Sequence, residues 1–507
     1  MKKIFISTLA LSLFAMTTSC DTEFDTDVND IVVSQGDADF SKYISLGNSL
    51  TAGYRDGTLY LDGQNESYPS MIAAQMKLAG GGDFKQPLMP NNVGGFTNLP
   101  GFPGKLTLQV VNGSLAPVAS PAAAALDNVS SGAPYQNLGV PGAKVAHLIA
   151  PGYGSAANLA TGTANPFFVR FATSTSTSVV ADALAQNPTF LSLWIGNNDV
   201  LGYATSGGDG SNPITPVDGA VGVGFTNTYN YLVNTLFPAG TTRKGIIANI
   251  PYVTTIPFFN RVPHNPLTTT VLGSGDAAAG AANVTALNSG LYGPLKQALT
   301  AFGAGDRINL LSATQANPLL IKDVSLTNLS AQLTAALTPS LGLATATAFG
   351  QIFGQARQAT SQDLVLLTTS SVIGTAPVGA PASINKYGIS FPLENKHILT
   401  KTEVENTKVA TDAYNAVIKS AAEGKGLAFV DANAKMAELS SQSGIQYDGV
   451  RYTATFVTGG TFSLDGVHLT GRGYALIANE FMRVINQKYK STLPMVNINN
   501  YSGVTFP

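Results

Sequence analysis

Residues 43–54 read YISLGNSLTAGY: a short apolar run from Tyr43 to Leu46 that meets a tight turn at Gly47-Asn48-Ser49-Leu50. A run this short, closed by Gly and Asn, reads as a buried strand. Four more runs share its character: Tyr135 to Val140, Thr189 to Ile195, Lys244 to Ile250 and Leu427 to Val430. None alternates apolar and polar residues as a half-wet strand would, so all five fit a parallel sheet covered on both faces. Helical spacing of apolar residues precedes the fourth run, in FTNTYNYLVNTLF, and the fifth, in KTEVENTKVATDAYNAVIKSAAEGKG. This is βαβ order, and it predicts an α/β fold: a doubly wound, flavodoxin-like parallel sheet of about five strands with helices on both faces. A last helix, from about Gly473 to Lys488, places Tyr474, Ile477, Ala478, Phe481, Val484 and Ile485 on one face that should cover the sheet.

Two large insertions interrupt this plan. The first, about residues 80–133, is rich in Gly, Pro and Asn and contains KLTLQVVNGSLAPV, where Asn112-Gly113 between apolar runs signals a hairpin. The second spans about 265–385 and contains VSLTNLSAQLTAALTP, with Leu326, Leu329, Leu333 and Leu337 on one helical face and Pro339 expected to end the helix. Two readings of it stay open: a lid or acyl-chain pocket over the site, or a helical subdomain packing on itself. The second is favoured, because an apolar stripe is first of all core. DLVLLTTSSVIG, residues 363–374, is also readable as a further strand of the main sheet.

The chain begins MKKIFISTLALSLFAMTTSC. Two lysines, an apolar run and small residues before Cys20 read as an export signal over residues 1–19, too short and wrongly flanked for a membrane span. Cys20 is the only cysteine, which excludes an internal disulfide and a cysteine-based metal site. TTSC resembles a bacterial lipobox, and by that resemblance Cys20 carries the lipid that holds the protein on a cell-envelope membrane, the outer membrane being the expected one. Residues 20–39 are acidic and aperiodic, as a flexible tether would be. The rest divides into 40–264, the 265–385 insertion, a closing part at 386–490 and a tail at 491–507.

With 28 Lys and Arg against 30 Asp and Glu, the 507-residue chain has no broad basic field to hold nucleic acid. No cluster of His and Cys with ligand spacing appears, and GGDGSNP lacks the full pattern of a calcium loop, so no metal or cofactor is expected.

Four separated motifs carry the chemistry: Gly47-Asn48-Ser49-Leu50, then NLGVPGAKV with Gly142, then GNND with Asn198, then DGVH with Asp465 and His468. Each one alone recurs by chance. Their order is similar to that of the SGNH (GDSL-type) esterase and lipase family, over most of the mature chain. The resemblance implies an SGNH-hydrolase fold in which Ser49 is the nucleophile, His468 its base and Asp465 the acid behind the imidazole. It also implies an oxyanion hole made of the backbone N–H groups of Ser49 and Gly142 and the side-chain amide of Asn198. The chemistry fits these residue types. A hydroxyl attacks an ester slowly unless an imidazole takes its proton, and a carboxylate fixes the tautomer and stabilises the imidazolium. Of four histidines only His468 lies in a D-x-x-H setting; His147 reads as a polar residue on the helix after Gly142. Asp199 and Arg472 read as salt-bridge or capping residues.

Asn48 departs from the family's Gly-Asp-Ser-Leu. The residue before the nucleophile is not the triad acid, and Asn keeps the size and one acceptor of Asp, so it can still organise the turn. The expected function is a cofactor-independent carboxylic-ester hydrolase, of lipase or acyl-esterase type, acting on a small-molecule, lipid or glycan ester. The alternatives are a carbohydrate O-acetylesterase on the same fold and a noncatalytic surface binding module. Trp194 is the only Trp and sits on an expected core strand, which weighs against a Trp-lined glycan groove.

Overall fold

The five apolar runs enter one sheet. In the computed structural model, which describes residues 32–111 and 113–507, the strands are β1 (Tyr43–Gly47), β2 (Asn137–Gly139), β3 (Phe190–Trp194), β4 (Lys244–Ala248) and β5 (Ala428–Val430). All pair in parallel, in the order β5-β4-β3-β1-β2. Relative to chain order this is 2-1-3-4-5, the order of doubly wound sheets, in which the chain reverses its direction of winding between β1 and β3. Every residue of β1 and β3 is buried: Ile44, Leu46, Leu191 and Leu193 lie on one face of the sheet, Tyr43, Phe190 and Trp194 on the other, where a chain of hydroxyls from Tyr43 through Ser192 to Ser45, each link 2.8 Å, satisfies the polar groups.

Two sets of helices cover the sheet. Between β1 and β2 lie α1 (Ser49–Ala52) and α2 (Tyr68–Leu78), and α2 packs against the closing helix. Next along the chain come α3 (Val145–Ile149), α4 (Val179–Leu184), α5 (Asn198–Thr205), α6 (Phe225–Leu236) and α7 (Lys401–Gly424). Helix α3 packs on α4 and α6, and α6 on α7, as right-handed crossovers on the second face require. Helix α7 starts at a capping box in which the Glu403 carboxylate accepts from the Thr400 N–H and hydroxyl, both at 2.7 Å. After β5 come α8 (Ala432–Ser440) and the closing helix α9 (Gly471–Tyr489), whose Tyr474, Ile477, Ala478, Phe481 and Ile485 are buried as their spacing requires.

Residues 267–398 fill a second apolar core, around Tyr292, Leu320, Leu333, Phe353 and Leu393. Three expectations fail here. Pro339 lies inside the helix Ser330–Leu341, and Gly342 at φ +74° ends it. The proline falls in the exposed last turn, where it removes a single ladder donor, and the next helix, Leu343–Phe353, packs back on the first turns, with Gly350 against Ser330 and Thr334. Leu326 precedes the helix, so the leucine stripe is not one helical face. Residues 363–374 add no strand to the main sheet: Leu364–Val365 pairs antiparallel with Ile398–Leu399, and Leu367–Ser371 coils into a 3-10 turn. The Thr369 hydroxyl donates to the His397 carbonyl and draws the chain out of extended form.

In the first insertion Leu106–Val111 and Ser114–Ala119 form the expected antiparallel hairpin, with Val111 opposite Ser114. Residues 1–31, including Cys20 and most of the acidic tether, lie outside the described residues. Among the described residues no helix is long and apolar enough to cross a membrane.

Candidate active site

The four motifs lie beyond the C-terminal ends of β1, β2 and β3 and just before α9, which is where open α/β sheets build sites. Helix α1 turns away from β1 so tightly that a Cβ at Gly47 would lie 2.0 Å from Thr51 Oγ1 and 2.5 Å from the Trp194 carbonyl; only Gly fits. Asn48 is the N-cap: its Oδ1 accepts from the Leu50 N–H at 3.0 Å, and its Nδ2 donates to Asn197 Oδ1 at 3.1 Å. Ser49 then opens the helix, 7% exposed, with its N–H too early in the helix to have an intrahelical partner.

The loop before α9 brings the other side chains to it. His468 Nε2 lies 2.8 Å from Ser49 Oγ, and His468 Nδ1 lies 2.8 Å from Asp465 Oδ2. A carboxylate only accepts, so Nδ1 carries the ring proton and Nε2 is left as the acceptor for the serine hydroxyl. Asp465 is held by its own loop: Oδ1 accepts from the Val467 and His468 N–H groups, both at 2.8 Å, and Oδ2 also from the Gly57 N–H at 2.9 Å. Burial alone would raise this carboxyl, but the His468 imidazole and the backbone donors outweigh it and hold Asp465 well below the usual carboxylate range.

Tyr54, the last residue of the opening stretch, packs its ring 4.7 Å from the His468 ring and donates its hydroxyl to the Gly57 carbonyl. Tyr474 of α9 donates to the Tyr54 carbonyl at 2.6 Å. On its far side the Asp465 loop is braced by the Phe258 N–H, which donates to the Gly466 carbonyl at 2.9 Å. The segment after Ser49 therefore clasps the Asp-His pair, with Tyr54 against the imidazole and the Gly57 N–H on Asp465.

Gly142 occupies the third position of a type II turn over Val140–Ala143. Its φ is +81°, Pro141 precedes it, and the Ala143 N–H donates to the Val140 carbonyl at 3.0 Å. Asn198 opens α5 and donates one Nδ2 hydrogen to the Ala143 carbonyl at 2.9 Å, which ties the GNND turn to the Gly142 turn and leaves its second N–H free to serve the site. Among the described residues Asp199 takes no salt bridge and its Oδ1 has no partner; its Oδ2 accepts from the Val145 N–H at 3.0 Å at the start of α3, and burial pushes the carboxyl up to about 6. Arg472 donates to the Tyr501 carbonyl, and His147 sits on α3, where its Nδ1 accepts from the Lys144 N–H.

Ser49, Asn198 and His468 line one end of a cavity of about 100 Å³. Its remaining walls are mostly apolar and come from the loop after β4, from α8 and from α9; no residue of 265–385 lines it. Among the described residues, no three His, Cys, Asp or Glu side chains come together as a metal-ligand set. Comparison with family models, with curated proteins and with solved structures gives no match.

The residues that sequence reasoning missed are Asn197, Tyr54, Gly57 and the apolar wall. One signal existed for the first: Asn48 and Asn197 are both amides, and an amide in place of a carboxylate calls for a partner with a free acceptor.

Proposed function

We propose that the protein is a carboxylic-ester hydrolase of the SGNH type, working through Ser49, His468 and Asp465. The observation that carries this reading is the continuous relay from the Ser49 hydroxyl to His468 and on to Asp465, each link 2.8 Å, with Ser49 and His468 opening onto one cavity. The four motifs in their order, set at the ends of β1, β2 and β3 and before α9, support it further.

In this mechanism Ser49 Oγ attacks the ester carbonyl while its proton passes to His468 Nε2, and Asp465 stabilises the imidazolium that forms. The oxyanion meets the N–H groups of Ser49 and Gly142 and the free N–H of Asn198, each donor contributing roughly 3 to 4 kcal/mol. Collapse breaks the bond to the alcohol oxygen, which takes the proton from Nε2. Water, activated by the same nitrogen, then releases the acid and restores Ser49. Lipidation of Cys20 is the companion proposal and would hold this chemistry at a cell-envelope membrane, the outer membrane being the expected one.

The test is hydrolysis of p-nitrophenyl esters by the full chain in detergent, beside Ser49→Ala. Turnover that vanishes in Ser49→Ala is the expected outcome. Equal turnover in both proteins would overturn the reading.

A further inference from the structure

We infer that the cavity beside Ser49 is a pocket for a short aliphatic acyl group of about four carbons. This deepens the hydrolase reading and rests on it. The polar end of the cavity is the candidate machinery: Ser49, Asn198 and His468, with Asn48 and Asn197 beside them. The far wall is made of Val253 and Ile256 after β4, Met436 and Leu439 from α8, and Leu476 and Ile477 from α9, each less than 9% exposed.

Little in that wall can bind a hydroxylated group. Lys435 is already paired, its Nζ 2.7 Å from Glu438 and 3.6 Å from Glu480, and the Thr461 hydroxyl donates to the Thr453 carbonyl at 2.7 Å. A sugar placed here would lose its hydration with no partner to replace it, whereas an alkyl chain loses nothing. Contiguity with Ser49 also chooses between the two halves of an ester. The acyl group stays bonded to Ser49 Oγ until water releases it, so its chain must occupy space contiguous with that oxygen. The alcohol leaves when the acyl-enzyme forms and needs no space there afterwards.

Size sets the length. A dry apolar cavity of about 150 Å³ takes a benzene, six carbons. In proportion, about 100 Å³ takes about four. Each methylene buried is worth about a fourfold gain, so butanoate should exceed acetate by roughly fifteenfold in kcat/KM. Chains much beyond six carbons meet the wall.

The experiment is a p-nitrophenyl ester series from acetate to palmitate with the full chain, and an acetate series in which the alcohol is lengthened instead. The concentration of reactive Ser49 is counted by fluorophosphonate titration, so that misfolded protein is excluded. The expected profile peaks at butanoate along the acyl series and is flat along the alcohol series. Leu439→Trp, which fills the pocket, should move the peak to acetate, and Met436→Ala, which enlarges it, to six carbons or more. If Ser49 titrates and esters turn over, but the peak lies at long chains, follows the alcohol, or ignores both substitutions, the pocket assignment is wrong and the hydrolase reading stands. If Ser49 neither titrates nor turns over any ester, both fall.

Discussion

The sheet unit and the unit built on residues 267–398 each fill an apolar core, and they differ in how completely their buried polar groups are paired. In the second unit the buried charges are saturated. The Arg357 guanidinium donates to Asp323 at 2.7 Å and to both oxygens of Asp363 at 2.6 and 2.7 Å, and Asp363 also accepts from the Thr360 and Lys401 N–H groups. In the sheet unit lie the two buried side-chain atoms that lack a partner among the described residues, Asp199 Oδ1 and Tyr229 Oη. One of these belongs to the GNND turn of the candidate site. Saturated polar networks hold a support rigid, while unsatisfied groups gather where a surface has been kept for something else. The contrast also separates roles: the second unit supplies no wall of the cavity, yet Leu367 touches the back of the Asp465–His468 loop at Gly466.

The largest effect expected on this contrast is in the support. Arg357→Ala leaves two buried carboxylates without their cation and should cost about 3 to 5 kcal/mol in urea unfolding. Ser49 in the fraction still folded should react within about twofold of the parent rate; loss of that reactivity would mean that the second unit shapes the site directly.

Asp199 sharpens the comparison from the other side. Its folded-state pKa of about 6 lies above the unfolded value, so the proton it holds stabilises the fold below about pH 4, and that stability is lost as the pH rises through about 6. The difference is roughly 3 kcal/mol. Stability curves of the parent should therefore fall between pH 4 and 6, and Asp199→Asn should flatten that fall; parallel curves would show that burial of Asp199 has no such cost.

Gly466 is where the two units meet the chemistry. Its φ is +70°, and a Cβ there would lie 3.0 Å from Leu367 Cδ2 and 3.1 Å from the Phe258 nitrogen. Gly466→Ala should shift His468 and reduce kcat by about 10²-fold, with a smaller change in KM. The smallest effect belongs to Asn48. Replacing it by Asp keeps the cap on Leu50, and the Asn197 amide can turn over to donate to the new carboxylate, so kcat/KM should stay within about tenfold. A loss comparable to that of Ser49→Ala would show that the amide is essential to the site.

Much of the sheet was legible because its signals are local. Apolar runs without alternation gave the five strands, and the spacing of Tyr474, Ile477 and Phe481 gave the covering helix. The site was legible as motif order, and Ser49, Asp465 and His468 come together over a sequence separation of 419 residues between Ser49 and His468. The cavity wall was not legible: Val253, Met436 and Leu476 come from three separate elements, and each reads as ordinary core in its own segment. The second unit was misread where local rules were applied too strictly. Pro339 costs one donor in an exposed last turn and the helix runs on to Gly342, and the run at 363–374 breaks because Thr369 finds an acceptor in His397.

The most direct measurement of the central claim is the site of modification by a fluorophosphonate, read by peptide mass. The account requires a single adduct on Ser49 in the parent protein, none in Ser49→Ala, and labelling slowed by orders of magnitude in His468→Ala. An adduct elsewhere, or equal labelling of all three proteins, would contradict it.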